Sequence, residues 1–268
     1  MKTFQKGIGE PEIAVVYCTH GNETEGEKAV ENLLNSGTEF RKPAKFILAN
    51  EKAYQKNQRY IDTDLNRAFP GDSDRELYEE RIAAEMMEEL EGLKVLDIHS
   101  TESRPTPFSL FTSRNEKVVE ALKEVNIEKA VEISFTPGCG INHYGGIEVE
   151  VGPRGTEEAV KQAEQILSTF LVNNDVIEGK ASQSVPEVFE VTGEVERPNG
   201  EWKFIGENFV EVQENEVYAR SSKGRKLEAS ESFYPVLMSE SYENILGFKA
   251  VKNEKLTEQI INIRGNQK

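Results

Sequence analysis

Cysteine is nearly absent from this chain of 268 residues, with only Cys18 and Cys139 present. Two thiols cannot build a disulfide framework, so an apolar core must hold the chain together, and a reducing compartment is expected. Long apolar runs are missing as well. The longest, Ile13 to Cys18, falls far short of the ~20 residues a membrane span requires. Met1 to Pro11 holds no apolar signal-peptide core, and a cytoplasmic location is the expectation. Positive charge is in deficit: 32 Lys and Arg stand against 48 Asp and Glu, a net charge of −16. A surface of that sign repels phosphate, so neither nucleic acid nor an anionic membrane is an expected partner. The hydrophobic fraction of 37% is modest but segmented, which excludes global disorder. The length suits one large domain or a main domain with a smaller companion.

The first two thirds alternate short apolar runs with helical periodicity. Glu12 to Cys18 reads as a strand buried on both faces. Gly26 to Leu34 reads as a helix, Lys45 to Ala49 as a strand. Ser73 to Leu90 is the strongest helical pattern, with Ser73 and Glu76 in capping-box spacing and Leu77, Ile82, Met86 and Leu90 as its inner stripe. Val95 to Ile98 reads as a buried strand, Glu116 to Lys129 as a helix, and Val131 to Phe135 and Ile147 to Val151 as strands. Thr156 caps a last helix running to Phe170. Such alternation predicts an α/β sheet with helices on both faces and its site at the carboxyl ends of strands. After a polar linker, Asn174 to Ser184, the pattern turns strand-like. A turn at Pro198-Asn199-Gly200 joins two runs, and Val210 to Ala219, Phe233 to Met238 and Phe248 to Ile263 continue the style. The expected division is 1–180 for a catalytic α/β domain and 183–268 for a smaller all-β domain.

Histidine is scarce too. Of His20, His99 and His143, two end apolar strands. Glu23 follows His20 by three positions, across Gly21 and into a helix. Two imidazoles and a carboxylate meeting at strand ends form the three-ligand set of a catalytic zinc site. An isolated His-x-x-Glu pair arises often by chance; the shared placement at strand ends is what singles this one out. Asp97, two residues before His99 on one strand face, is placed to orient an imidazole. Glu148 and Glu150 share a strand face, and alternation alone leaves open which is the catalytic carboxylate. The charged run Arg59 to Arg67 reads equally as a solvated loop. His143 is expected at a loop or rim, and Cys18 as a buried apolar filler.

Taken in order, the motifs become specific. His20-Gly-Asn-Glu23, Arg59 with Asp64-Leu-Asn-Arg67, Asp97-Ile-His-Ser-Thr101 and Glu148-Val-Glu150-Val-Gly-Pro153 together resemble the succinylglutamate desuccinylase/aspartoacylase family of the zinc carboxypeptidase clan. The resemblance covers most of residues 12–154, and the segment from Tyr234-Pro-Val to Tyr242 resembles the family's C-terminal part. It implies a zinc-carboxypeptidase-like mixed sheet flanked by helices, with the smaller C-terminal β domain packed over the zinc side. It implies one zinc held by His20, Glu23 and His99. Arg59 would stabilise the oxyanion, Asn66 and Arg67 would bind a substrate carboxylate, and Tyr242 would reach the substrate. Glu150, which fits the family's Glu-Val-Gly-Pro, would be the general base and then the acid.

The expected activity is therefore hydrolysis of the amide bond of a small anionic N-acyl amino acid. A carboxypeptidase acting on short peptides is the alternative within enzymes, and a non-catalytic metal- or metabolite-binding protein the alternative outside them. Members specific for acylated aspartate carry an extra arginine shortly before the catalytic glutamate. Thr136 to Gly146 has none and contains four glycines, which argues against a side-chain carboxylate on the substrate and leaves a mobile or close-fitting loop or a plain connection as readings of this stretch.

Overall fold

The computed structural model describes residues 1–102, 107–133, 140–238 and 244–262. The chain runs β1 (Lys2–Lys6), β2 (Ile13–Tyr17), α1 (Glu25–Asn35), β3 (Ala44–Leu48), α2 (Glu51–Gln55), α3 (Leu65–Ala68) and α4 (Tyr78–Leu90). It continues through β4 (Lys94–Thr101), β5 (Phe108–Phe111), α5 (Glu116–Glu124), β6 (Lys129–Glu132), α6 (Ile141–Tyr144), β7 (Ile147–Pro153) and α7 (Glu157–Asn173). It closes with β8 (Glu187–Glu196), β9 (Trp202–Phe204), β10 (Val217–Ser221), β11 (Lys226–Glu228), β12 (Tyr234–Val236), β13 (Ile245–Lys252) and α8 (Glu254–Asn262). Ten strands form one mixed sheet in the order β1-β3-β2-β4-β7-β5-β6-β8-β13-β12, and β11-β10-β9 form a small antiparallel sheet.

Strand alternation assigns the helices to faces. Val15, Tyr17, Leu96, Ile98, Ile147 and Val149 pack in one apolar cluster with residues of α1, α5, α7 and α8. Ala14, Val16 and Val95 turn the other way and meet Tyr78, Ile82, Met86 and Leu90 of α4. On that second face, β4 and β7 continue past Val95 with Asp97 and His99 beside Glu148 and Glu150, the pairs Asp97↔Glu148 and His99↔Glu150 being in register. Four buried polar side chains thus replace apolar ones where two central strands end. β2 has parallel neighbours on both sides, β3 and β4. The chain order reverses there, which opens a crevice at the carboxyl ends of β2 and β4.

Three local readings are corrected by the structure. The strongest helix starts at Tyr78, not Ser73. Its first N–H is capped from a distant loop, Tyr78 N donating to Asp62 Oδ2 at 2.8 Å, so the Ser73/Glu76 spacing is not used. The helix from Glu116 stops at Glu124, because Asn126 takes φ +54° and the chain turns into β6 by Lys129. The tail is not strand throughout. Asn253 Oδ1 accepts from Leu256 N at 2.9 Å and starts α8, whose Leu256 and Ile260 point into the main core. Spacing of four residues between those two apolar side chains favours a helix over a strand. The turn around Gly200 exists, but it leads from the large sheet into the small one, since β9 pairs with β10 and not with β8.

The architecture is thus mixed α/β, a large sheet flanked by helices with a smaller antiparallel β unit toward the C-terminus. No helix among the described residues is long and apolar enough to cross a membrane.

Candidate active site

Cys18, just past β2, adopts φ +54°, a left-handed conformation that turns the chain sharply out of the sheet. Thr19 and His20 follow, and Glu23 N donates to His20 O at 3.0 Å to close the turn into α1. Gly21 crosses the backbone of α2, where a Cβ would stand 2.2 Å from Ala53 C. Only glycine fits there, and that fit aims His20 and Glu23 at the same point. His99 arrives from β4. His20, Glu23 and His99 are buried and each offers one ligand atom, all within 4.8 Å of one another.

Glu23 sits between the rings. Its Oε1 is 2.9 Å from His20 Nδ1, and its Oε2 is 3.0 Å from His99 Nδ1. Ser100 N donates to Oε2 at 3.2 Å. Each imidazole turns its other nitrogen to a second carboxylate: His20 Nε2 is 3.2 Å from Asp64 Oδ1, and His99 Nε2 is 3.2 Å from Asp97 Oδ2. Thr19 Oγ1 and Tyr144 Oη donate to Asp97 and fix it. Carboxylates behind imidazoles are what orient metal-binding histidines and make them better donors. The set of two imidazole nitrogens and one carboxylate, buried and convergent, fits zinc with a position left for a small ligand.

The charges are strongly coupled. Burial disfavours the charged His99, yet Glu148, Asp97 and Glu23 carry its pKa well above 6.5. His20 is also raised, burial being outweighed by Glu23 and Asp64. Glu23 is held well below the usual value against burial, through both histidines. Asp64 is likewise held down against burial, by His20 and Arg59. Glu150 goes the other way. Burial, then Glu148 and Glu23, push it well above 4.5, and its Oε2 has no hydrogen-bond partner among the described residues. Glu148 is also raised, chiefly by burial, and sits 3.8 Å from His99 Nε2.

Of the other expected residues, Arg59 is tied to Glu23 and Asp64, and Asn66 and Arg67 follow Asp64 on α3. Arg59 donates to Asp64 Oδ2 at 3.1 Å and 3.0 Å and to Glu23 Oε1 at 3.4 Å. Asp64 also starts α3, accepting Asn66 N at 2.9 Å. Asn66 on α3 is buried, its Oδ1 without a partner among the described residues, while the next residue, Arg67, is exposed. His143 is exposed on α6 and stacks over Phe69, with ring centres 6.2 Å apart. Cys18 is buried, with Sγ 3.5 Å from Glu23 O. Tyr242 lies outside the described residues, as does the 136–139 part of the glycine-containing stretch. No motif singles out Tyr144 or Thr19, and Ser100 appears only as a member of the Asp97-Ile-His-Ser-Thr101 run. Only the tertiary fold carries Tyr144 to Asp97, 47 positions away.

Residues 10–171 match the sequence model of the succinylglutamate desuccinylase/aspartoacylase catalytic domain. A probable aspartoacylase of Nostoc sp. is 28% identical over 70% of this chain and 74% of its own length. An N-acyl-aromatic-L-amino acid amidohydrolase of Xenopus tropicalis is 34% identical over 39% of this chain and 38% of its own length. The match to a probable aspartoacylase of Prochlorococcus marinus, at 38% identity and 33% of this chain, spans only 34% of that relative. Among solved structures, the product-bound ectoine utilization protein of Ruegeria pomeroyi superposes with a TM-score of 0.76, covering 93% of this chain and 88% of its own at 18% identity. That likeness speaks for the fold.

Proposed function

The chain belongs to the succinylglutamate desuccinylase/aspartoacylase family, and from that premise we propose that it is a zinc-dependent amidohydrolase cleaving the amide bond of an N-acyl amino acid. One observation carries the reading. A convergent His20, Glu23 and His99 set stands next to a buried Glu150, in register with His99 on the adjoining strand, whose Oε2 has no hydrogen-bond partner among the described residues. Metal donors and a carboxylate free to handle protons are what hydrolysis needs side by side.

His20, Glu23 and His99 would hold the zinc, which when bound supplies Lewis-acid activation of the carbonyl and of water. Glu150 takes the proton from the attacking water and returns it to the departing amine. Its raised pKa suits both halves of that task. Arg59, anchored by Asp64, presents a fixed cation to the developing oxyanion. Asn66 and Arg67 take the carboxylate of the amino acid, Arg67 by a two-pronged contact. Residues 136–146 hold no arginine, so the side chain of the substrate is not required to be acidic. The substrate is a small anionic N-acyl amino acid, and by the family resemblance Tyr242 would contact it.

The test is a panel of N-acetyl and N-succinyl amino acids set against dipeptides, with and without a chelator. Turnover of the acylated amino acids that stops on chelation and returns with zinc is expected. Preference for dipeptides, or turnover indifferent to chelation, overturns the reading.

A further inference from the structure

Arg59, Asp64, Asn66 and Arg67 all ride on one stretch of irregular chain and a single helical turn. Something must hold that stretch against the sheet, because an irregular segment has no ladder of its own. The holder is a side chain on another element. Glu79, in the first turn of α4, is completely buried at 0% exposure. Its Oε1 accepts Ile61 N at 2.7 Å and Asn50 Nδ2 at 3.0 Å. Its Oε2 accepts Asp62 N at 3.0 Å and Thr63 N at 3.2 Å. Three successive backbone N–H groups thus close around one carboxylate, a concave anion nest filled from within the protein. The helix N-terminus adds a favourable field for that charge. The grip is reciprocal, since Asp62 Oδ2 accepts Tyr78 N at 2.8 Å. Asn50 also starts α2, over which Gly21 crosses, and Gly21 N donates to Arg59 O at 3.1 Å.

We propose that Glu79 is a positioning residue for the reaction: it sets the loop that carries Arg59, Asp64 and Arg67 in place around the site, while touching neither substrate nor metal. This deepens the proposed amidohydrolase reading and rests on it for its kinetic consequences. Every acceptor position on Glu79 is used, so no isosteric replacement can serve. A glutamine keeps the shape but offers one oxygen, and its amide N–H₂ faces two backbone N–H groups.

The experiment compares wild type, Glu79→Gln and Asp62→Ala, each loaded with saturating zinc. Glu79→Gln should raise KM through Arg67 and lower kcat through Arg59, with kcat/KM falling ~10²-fold, the scale of an ångström-sized misplacement. Zinc content should stay at that of wild type, because the ligands lie on other elements. Amide hydrogen exchange at Ile61 to Thr63 should quicken at least ~10-fold as the local bonds open. Asp62→Ala, which removes one reciprocal bond, should move the same quantities in the same direction by less. A folded Glu79→Gln with wild-type KM, kcat and exchange, lowered only in melting temperature, overturns the proposal. If Glu79→Gln does not fold, wild-type values in Asp62→Ala overturn it. Should wild type hydrolyse no N-acyl amino acid, the functional reading falls alone, and unchanged exchange at Ile61 to Thr63 still overturns the positioning role.

Discussion

Two residues of the site can be separated by what they do to kcat and KM. As the proposed general base, Glu150 would act on protons in the transition state, so Glu150→Gln should lower kcat by ~10²–10⁴-fold at unchanged zinc content. In the proposed role Arg67 would meet a carboxylate already present in the bound substrate, so Arg67→Lys should mainly raise KM, an ammonium being unable to copy the two-pronged contact. If Glu148→Gln abolishes turnover while Glu150→Gln keeps it, the base is one strand repeat away. The same residues shape the pH dependence of stability once a chelator has removed metal. His20 and His99 are raised, so their contribution is complete below 6.5 and is lost as pH rises through their folded values. Glu148 and Glu150 are raised as well, so the fold gains as pH falls toward 4.5. Glu23 and Asp64 are lowered, so what they contribute holds above 4.5 and 3.8 and is lost in more acid solution. Together these place the optimum of the chelated protein between about 4.5 and 6.5. Urea midpoints measured across pH check this, and a midpoint that climbs from pH 6 to pH 8 contradicts it.

At the scale of elements, legibility tracked how far the deciding contact lay along the chain. β2, β4 and β7 are apolar runs whose neighbours confirm them, and His20 and His99 at their ends were visible as a pair. α7 was visible to its cap, since Thr156 Oγ1 accepts Ala159 N. The start of α4 was not, because its cap is Asp62, 16 positions upstream. Nor was β5, four residues long, which exists by pairing with β6 and β7. Glu79 reads in sequence as one more acidic residue on a helix; only the folded loop shows three N–H groups waiting for it. Gly21 is the element-scale counterpart. It lets the β2–α1 turn cross α2, where a Cβ would also stand 2.2 Å from Tyr54 N. The obstacle is backbone, so Gly21→Ala must push the turn outward. A loss of about 1–3 kcal/mol is expected from overpacking, with weaker zinc binding as His20 and Glu23 separate. Unaltered melting and zinc affinity in Gly21→Ala refute this account of the turn.

At the scale of the whole molecule, the question is whether residues 1–180 could stand as a catalytic domain alone. Two features argue that they could not. β8 pairs with β6 in parallel, from Lys129↔Glu187 to Glu132↔Glu190, so the large sheet runs on without a break into the C-terminal part. α8 returns Leu256 and Ile260 to the cluster shared with α1, α5 and α7. A chain ending at Lys180 would uncover the edge of β6, where Ala130 and Val131 are buried, and would strip Val188, Leu256 and Ile260 from the core. A bare strand edge beside exposed apolar surface invites pairing between chains. We therefore expect the 1–180 chain to aggregate or to remain expanded, with no zinc-dependent turnover. Trp202→Ala is the contrast. Trp202 packs in the separate cluster of the small sheet, under Arg225. Its loss should lower stability by about 3–5 kcal/mol, as for other large buried aromatics, while zinc stoichiometry stays intact in the folded fraction. Light scattering, zinc content and circular dichroism distinguish the two. A monomeric, zinc-loaded 1–180 chain would show that the sheet tolerates the cut and that the boundary near 183 separates units able to fold apart.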